Sequence, residues 1–305
     1  MNTEFEKEAY KRLIENSKVF LKDGIERLVN KDNGNDDYIE HNLLTLTCTS
    51  FQISIELAIK ALIIERAGIR FILNKKQREL SDNEIEALFK DNNLKTLDFE
   101  AQKNFIKRKN YISDFSKDEF EIIDEFQVYR NRIVHFSYKF YDGDLFDLKY
   151  DIIYYLIHII FKILLSERHQ DDKPSEFLQY TLGGGLHKKL ISYSPYIYAM
   201  ERLAKENSNK VFRCIVCNNR TLSQDEDYCY CCNFYSLDFT MINCDYCNEK
   251  KSVIYDNLNI KLNNNEAKGL CLNCDEDGII YECPDCENAY NIETNLRKKC
   301  DCKNN

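Results

Sequence analysis

The cysteines are the feature of this sequence that most restricts how the chain can fold. The chain of 305 residues contains 14 cysteines, and all of them except Cys48 lie between Cys214 and Cys302. Five pairs have the spacing CxxC, and a final pair has the spacing CxC. Because the composition changes abruptly near residue 210, we expect a domain boundary there.

This spacing predicts tetrahedral zinc sites. A CxxC turn brings two thiolates to one ion, and two such turns complete a site whose sulfurs lie about 2.3 Å from the metal. Six pairs in chain order give about three zinc ions per chain, each structural because sulfur fills all four positions. The expected ligands are Cys214, Cys217, Cys229, Cys232, Cys244, Cys247, Cys271, Cys274, Cys283, Cys286, Cys300 and Cys302.

Two alternatives concern how these cysteines are used. A disulfide framework is disfavoured because residues 1–10 are charged where a secretion signal needs an apolar core. A cross-braced arrangement, in which the first and third pairs share an ion, is left open by the spacing. Cys231 is left over beside Cys232 and could exchange with a neighbouring ligand, whereas Cys48 is expected to be a small core residue.

The first part of the chain has the hydrophobic periodicity of helices. Apolar residues recur at helical spacing over residues 3–30 and more densely over residues 38–67, which we expect to form the central helix. A last long helix is expected over residues 144–168. No segment shows convincing period-two alternation, so we expect an all-α helical bundle over residues 1–170.

Local capping signals refine this prediction. Ser81-x-x-Glu84 and Ser116-x-x-Glu119 are capping boxes, and the second should open a helix that runs to about Tyr141.

The rest of the chain divides into two further regions. Residues 171–209 are expected to form a helical connector, with a turn at Gly183–Gly185 and a helix from Ser194 to Asn207. Residues 210–305 are expected to form three tandem zinc ribbons built on short β-hairpins.

The charge balance limits the range of partners. Lys plus Arg total 42 against 51 for Asp plus Glu, which gives a net charge of -9 and disfavours an indiscriminate nucleic-acid coat. The most apolar stretch, residues 152–165, is interrupted by His158 and Lys162. We therefore expect a cytoplasmic protein with no membrane partner.

One basic run could guide a nucleic-acid strand, although a solvated helix face is an equally good interpretation. It consists of Lys103, Lys107, Arg108 and Lys109.

A polar group stands out in the helix expected from residue 117. Arg130 and Asn131 are followed by His135, which lies one helical turn after Asn131 and so on the same face. Helical geometry places these residues away from an apolar stripe that should face the bundle. The stripe comprises Ile122, Phe126, Tyr129, Ile133, Phe136 and Phe140, and the outward side also carries Val128, Val134 and Tyr138. This mixed outward face suggests a partner surface with a polar site within it.

These residues carry a family resemblance. The all-α arrangement, the apolar second helix with Glu56-x-x-x-Lys60-Ala61-Leu62, and Arg130-Asn131-x-x-x-His135 resemble the HEPN superfamily over residues 1–170. Many members of that superfamily are metal-independent endoribonucleases of prokaryotic toxin, abortive-infection and CRISPR systems. The resemblance implies a homodimer or higher homo-oligomer in which two Arg-x4-His motifs form one composite site. The cysteine-rich region is not part of the common HEPN pattern.

The chemistry of these groups suits RNA cleavage. His135 can take the proton from a 2′-hydroxyl, and a second histidine from another copy of the chain can protonate the leaving 5′-oxygen. Arg130 would hold the scissile phosphate, and Asn131 would orient the imidazole or a phosphate oxygen. The products would be a 2′,3′-cyclic phosphate and a 5′-hydroxyl, with no cofactor for catalysis.

Two functions from different classes are therefore expected. The first is an endoribonuclease of a phage-defence or toxin system, whose zinc ribbons sense a trigger, bind a protein partner or hold the enzyme inactive. The second is a non-catalytic adaptor, in which a helical dimerisation module is joined to zinc ribbons that recruit a protein or nucleic acid.

Overall fold

The computed structural model describes residues 3–31, 41–109, 116–136, 148–166, 174–236, 241–255, 258, 260–292 and 302. Within this part, ten α-helices precede nine short β-strands. The chain divides into two compact units, Met1–Ala199 and Met200–Asn305. The all-α region followed by a cysteine-rich β region is the architecture that the sequence predicts.

Two long helices form the centre of the first unit. Helices α1 (Glu4–Lys31) and α2 (His41–Ala67) pack against each other over most of their length. The apolar α2 side chains that are no more than 1% exposed are Leu44, Cys48, Phe51, Ile55, Ala58, Ile59, Ala61, Leu62, Ile63 and Ile64. This confirms α2 as the central helix and Cys48 as a core residue.

Small residues allow α1 and α2 to approach closely. Ser17 Oγ donates to the Ser54 carbonyl oxygen at 2.8 Å, and Ser54 Oγ donates to the Ser17 carbonyl oxygen at 2.9 Å. A Cβ atom on Gly24 would lie 2.7 Å from Phe51 Cε1, so any larger residue there would displace the ring. These contacts fix the pairing of the two helices.

One stretch among the described residues, Leu43–Ala67, would by length and composition suit a membrane span. However, 78% of its apolar window is buried inside the protein, as expected of a core helix.

Three shorter helices follow a 3-10 turn at Ile69–Ile72. They are α3 (Lys75–Arg78), α4 (Asp82–Lys90) and α5 (Phe99–Lys109). The predicted capping box opens α4, where the Ser81 and Glu84 side chains each accept a hydrogen bond from the other residue's backbone N–H.

Helix α6 (Lys117–Phe136) carries the polar group singled out above. It also opens on the predicted capping box: Ser116 N donates to Glu119 Oε2 at 2.7 Å, and Glu119 N donates to Ser116 Oγ at 3.2 Å. The expected helix end near Tyr141 lies outside the described residues.

The inward face of α6 is close to the predicted one but shifted by one residue at its start. Phe126 and Ile133 are buried as expected, whereas Ile123 is buried in place of Ile122, which is half-buried. Val128, predicted to face outward, is 48% exposed. The side chains of Val134, Phe136, Tyr138 and Phe140 lie outside the description.

Helix α7 (Tyr154–Ser166) follows a π-helical stretch at Leu148–Ile153. Its apolar sequence is buried together with His158, which is 5% exposed. Lys162 Nζ forms an ion pair with Glu119 Oε1 of α6 at 3.0 Å. Lys162, the charged residue within the apolar sequence, therefore links α7 to the start of α6 by an ion pair.

Three helices end the α region. They are α8 (Pro174–Leu182), α9 (Gly184–Ile191) and α10 (Ser194–Asn207). Both α8 and α9 pack on α1, so the predicted connector belongs to the first unit up to the division inside α10. The turn predicted at Gly183–Gly185 is made at Gly183, whose φ of 77° favours glycine.

The second unit contains two antiparallel sheets. The first has the order β1-β2-β3, from β1 (Val211–Phe212), β2 (Leu222–Ser223) and β3 (Tyr228–Cys229). The second has the order β4-β5-β7-β8-β9, with β6 paired to β7. Its strands are β4 (Met241–Ile242), β5 (Val253–Ile254), β6 (Lys261–Asn263), β7 (Glu266–Cys271), β8 (Asp277–Glu282) and β9 (Ala289–Ile292).

The second and third of the three tandem ribbons that the sequence predicts share one sheet. Strands β7 and β8, which lie in the second and third cysteine regions, pair from Glu266↔Tyr281 to Leu270↔Asp277. Strands β4 and β9 also contact each other, so the sheet curls round a small core. That core consists of Cys244, Val253, Tyr255, Cys271 and Ile280. Local spacing could not show this sharing, because it depends on pairing between strands of different repeats.

Candidate metal centres and candidate active site

The first cysteine cluster, called site 1, joins Cys214, Cys217, Cys229 and Cys232. The Sγ atoms of Cys214 and Cys232 are 3.6 Å apart, and those of Cys217 and Cys229 are 3.7 Å apart. A zinc–sulfur distance of about 2.3 Å gives a tetrahedron with edges of about 3.8 Å. The four sulfurs therefore have the spacing that one zinc ion requires.

Site 2 joins Cys244, Cys247, Cys271 and Cys274. Its Sγ atoms show the same spacing, with 3.8 Å between Cys244 and Cys274 and 3.8 Å between Cys247 and Cys271. Two clusters built independently by the chain thus reach the same geometry.

Site 3 joins Cys283, Cys286 and Cys302, with 3.6 Å between Sγ of Cys283 and Sγ of Cys302. The predicted fourth ligand, Cys300, lies outside the described residues. The grouping of the clusters is sequential, and the first and third pairs do not share a site.

A repeated backbone turn builds all these centres. In each CxxC turn the first cysteine N–H donates to the carbonyl oxygen five residues later, at 2.8 to 3.0 Å. The residue after each second cysteine has a positive φ; these residues are Asn218, Asn233, Asn248, Asp275 and Glu287. Asn and Asp tolerate this left-handed conformation better than most residues. The recurring Asn or Asp after CxxC was a signal in the sequence that the spacing analysis missed.

The donor sets fit zinc. All ligands are thiols, the ligand type that selects zinc over oxygen-seeking cations. In site 2, burial raises the pKa of Cys274 to about 12. Burial also acts to raise the pKa of Cys247, but hydrogen bonds from the Asn273 side chain and the Glu249 backbone amide lower it to about 7. Sulfurs this close cannot all be ionised unless a cation shares their charge.

Outer hydrogen-bond donors support the sulfurs. Thr221 Oγ1 lies 3.2 Å from Cys229 Sγ in site 1, and Asn273 Nδ2 donates to Cys247 Sγ at 3.5 Å in site 2. Such contacts orient the ligands and offset their negative charge.

Two arginines connect site 1 to site 2. The Arg213 backbone N–H donates to the Leu272 carbonyl oxygen at 3.0 Å, and Arg213 Nη2 forms an ion pair with Asp275 at 2.7 Å. Arg220 Nη2 donates to the Asn273 carbonyl oxygen at 2.6 Å. Because Leu272 and Asn273 lie within a CxxC turn of site 2, each arginine braces one metal centre against the other. No local pattern in the sequence indicates this role, because it depends on contacts between two cysteine regions.

Near the end of α6, the structure brings together two of the three residues of the polar group. Arg130 Nη1 donates to Asn131 Oδ1 at 3.0 Å, and both side chains are half-buried. Arg130 Nε is buried and has no hydrogen-bond partner within the described ranges. The backbone of His135 lies one turn further along the same helix, and its side chain is outside the description.

The basic run on α5 is only partly open to solvent: Lys103 is buried, whereas Lys107 and Arg108 are exposed. Lys103 is 3% exposed and forms ion pairs with Glu100 and Asp124. Lys107 Nζ also pairs with Asp124, at 2.8 Å. These lysines join α5 to α6, and the carboxylates of Glu100 and Asp124 offset part of their charge.

Of the other two members of the run, Arg108 is exposed and remains a candidate for RNA contact. The side chain of Lys109 lies outside the description.

Comparison of the chain with family models, with curated proteins and with solved structures finds no match in any of the three.

Proposed function

We propose that this protein is a metal-independent endoribonuclease of a prokaryotic defence or toxin system, with a HEPN-like helical domain and structural zinc. The observation that carries the proposal is the guanidinium of Arg130. One of its nitrogens is engaged by Asn131, while the buried Nε has no partner among the described residues. A buried donor without a partner is costly unless an acceptor occupies the site at some stage of function. A phosphate is the acceptor that a guanidinium suits best.

The proposed mechanism uses three side chains of α6. Arg130 binds the scissile phosphate and offsets the charge that develops on it, while Asn131 fixes the orientation of the guanidinium. His135 removes the proton from the 2′-hydroxyl, which then attacks the phosphorus. A second histidine protonates the departing 5′-oxygen, leaving a 2′,3′-cyclic phosphate and a 5′-hydroxyl.

A homodimer supplies the second histidine in this proposal. The outward exposure of Val128 on α6 supports a partner surface beside the polar group, because apolar side chains in such a position favour association. Two copies related by a two-fold axis would bring both motifs to one composite site.

The test is cleavage of total RNA by the purified full chain and by single variants. Arg130→Ala and His135→Ala should each lower cleavage by at least about a hundredfold, the usual contribution of one acid–base or electrostatic group. Arg132→Ala is the matched control, since Arg132 is exposed, carries the same charge and lies two residues away on α6. This control should keep cleavage within about threefold of the wild type.

The chemistry of the ends tests the mechanism separately. Cyclic phosphate and 5′-hydroxyl ends are expected, without a requirement for added Mg²⁺. Ends with a 5′-phosphate and dependence on Mg²⁺ would contradict the proposal and indicate two-metal hydrolysis. If Arg130→Ala and His135→Ala both cleave RNA as fast as the wild type, neither residue belongs to the active site.

A second candidate function, a non-catalytic adaptor, is favoured by apolar side chains at the tips of two CxxC turns. Val216 is 48% exposed and Tyr246 is 54% exposed. In this case Val216→Ser and Tyr246→Ser should abolish the cellular phenotype of the protein, whereas Arg130→Ala and His135→Ala should preserve it. An assay of growth or phage resistance in cells that produce each variant separates the two functions.

A further inference from the structure

Site 1 contains a fifth sulfur that a tetrahedral zinc ion does not need. Cys231 is fully buried next to Cys232, but its thiol is not among the four mutually close sulfurs. Its place in the turn is the one from which Asn273 of site 2 reaches Cys247 Sγ at 3.5 Å, which directs the Cys231 thiol toward Cys217, the residue equivalent to Cys247. Asn219 Nδ2 donates to Cys231 Sγ at 3.3 Å, and the Asn219 carbonyl oxygen accepts from Cys214 N at 2.8 Å. The turn that builds the metal centre therefore also holds the extra thiol.

In site 2, the position equivalent to Cys231 is occupied by a residue without sulfur. Asn273 is the third residue of the second CxxC turn in site 2, as Cys231 is in site 1. Asn273 Nδ2 donates to Cys247 Sγ at 3.5 Å. The equivalent partner of Cys231 is Cys217, the second cysteine of the first turn. An amide therefore suffices as the outer donor at this position, and a thiol adds redox chemistry.

Exposure selects the sulfur that an oxidant would reach. Cys217 is partly exposed, whereas Cys214, Cys229 and Cys232 are buried. A small peroxide can therefore reach Cys217 first, and the Cys231 thiol is directed toward it. An accessible thiolate beside a second thiol is the arrangement of a reactive and a resolving cysteine.

We propose that Cys217 and Cys231 form a peroxide-sensitive thiol pair that opens site 1. The Cys217 sulfur attacks one oxygen of hydrogen peroxide, and the O–O bond breaks. Hydroxide departs, and Cys217 becomes a sulfenic acid. The Cys231 sulfur then attacks the sulfenic sulfur, forming the S–S bond as the S–O bond breaks and water departs with the thiol proton. Overall, two thiols lose two electrons and one peroxide is reduced to two waters. Site 1 is left with three sulfur ligands.

The experiment treats the zinc-loaded full chain with stoichiometric hydrogen peroxide. Zinc release is followed with a chromogenic chelator, and the disulfide is mapped by differential alkylation and peptide mass spectrometry. The wild type should lose about one zinc ion per chain and form the Cys217–Cys231 disulfide, while the cysteines of site 2 stay reduced. A thiol reductant with added zinc should restore the original metal content.

Reciprocal variants test the role of the extra sulfur. Cys231→Asn gives site 1 the donor that site 2 uses, so it should keep its zinc and slow peroxide-driven release on the order of tenfold. Asn273→Cys should place the same thiol pair in site 2 and make its zinc sensitive to peroxide. Cys48→Ala is the control, because it removes a buried cysteine from the first unit.

Two results would overturn the proposal. One is equal zinc release by the wild type and Cys231→Asn. The other is a wild-type disulfide that joins two ligand cysteines or joins Cys231 to Cys232. Disulfide mapping of the wild type needs no substitution, so it tests the proposal even if a variant fails to fold. The outcome is independent of whether the protein cleaves RNA.

Discussion

The two units of this protein are stabilised by different means. In the first unit, α2 buries ten apolar side chains almost completely, and hydrophobic burial can support the bundle. In the second unit, the core of the larger sheet has five fully buried members, and two of them, Cys244 and Cys271, are candidate zinc ligands. Small apolar cores are usually supplemented by a structural metal, and the cysteine clusters of this unit could hold one. One chain thus combines a helical unit built round an apolar core with a cysteine-rich unit whose clusters could bind metal.

Metal removal should therefore have the largest effect, and only on the second unit. The purified protein should carry about three zinc ions, and strong chelation should unfold the second unit because structural zinc supplies about 10 to 16 kcal/mol of binding free energy. Elemental analysis gives the metal content. Limited proteolysis and circular dichroism should show that the helical unit survives.

The converse change provides the control for this comparison. Phe51→Ala in α2 should destabilise the first unit by about 3 to 5 kcal/mol and leave the zinc content unchanged. Two results would contradict the prediction that only the second unit depends on zinc. One is the unfolding of both units together on chelation, and the other is a content of one zinc ion or none.

Breaking the ion pairs that join α5 to α6 should lower the free energy of unfolding of the first unit by an intermediate amount. Despite partial burial, Lys103 and Lys107 hold the pKa of Asp124 below its usual range. This stabilisation is present above the unfolded pKa of about 4 and is lost as pH falls through the lower folded value. Because the Asp124 side chain is 42% exposed and solvent screens its ion pairs, Asp124→Asn should cost the first unit about 1 kcal/mol at pH 7 and weaken its loss of stability in acid.

Urea unfolding of the first unit at pH 7 and pH 3 measures this effect. Glu125→Gln is the matched control, because Glu125 is an exposed neighbour on the same helix. An acid profile of Asp124→Asn identical to that of the wild type would show that the ion pairs contribute little.

The smallest effect is expected at the left-handed residues of the metal turns. Glu287 has a φ of 58° and Asn248 a φ of 57°, but asparagine adopts this conformation at a lower energetic cost than glutamate. Glu287→Gly should therefore stabilise metal-bound site 3 by about 1 kcal/mol, whereas Asn248→Gly should change site 2 less. Competition with a chelator of known affinity measures the zinc affinity of both variants. A larger gain in affinity from Asn248→Gly than from Glu287→Gly would contradict the backbone explanation.

Local patterns in the sequence predicted much of the fold. The spacing from Cys214 to Cys274 gave the ligand sets of sites 1 and 2, and both capping boxes opened helices as expected. These predictions succeed because a CxxC turn and a helix start depend on residues a few positions apart.

Features that depend on distant residues could not be predicted in this way. The run at Lys103 and Lys107 looked like a basic surface because its carboxylate partner, Asp124, lies on the next helix. The burial of Ile123 rather than Ile122 likewise depends on the angle at which α6 meets its neighbours.

The residues that can bind metal, and the point where helices give way to metal turns, follow from the sequence alone, because both properties belong to short segments. Three features depend on tertiary packing: β7 and β8 share a sheet, Arg213 contacts a metal turn of site 2, and Cys231 accepts a hydrogen bond from Asn219 beside site 1. Each of these results from segments distant in sequence packing together, where burial and hydrogen bonding act between them.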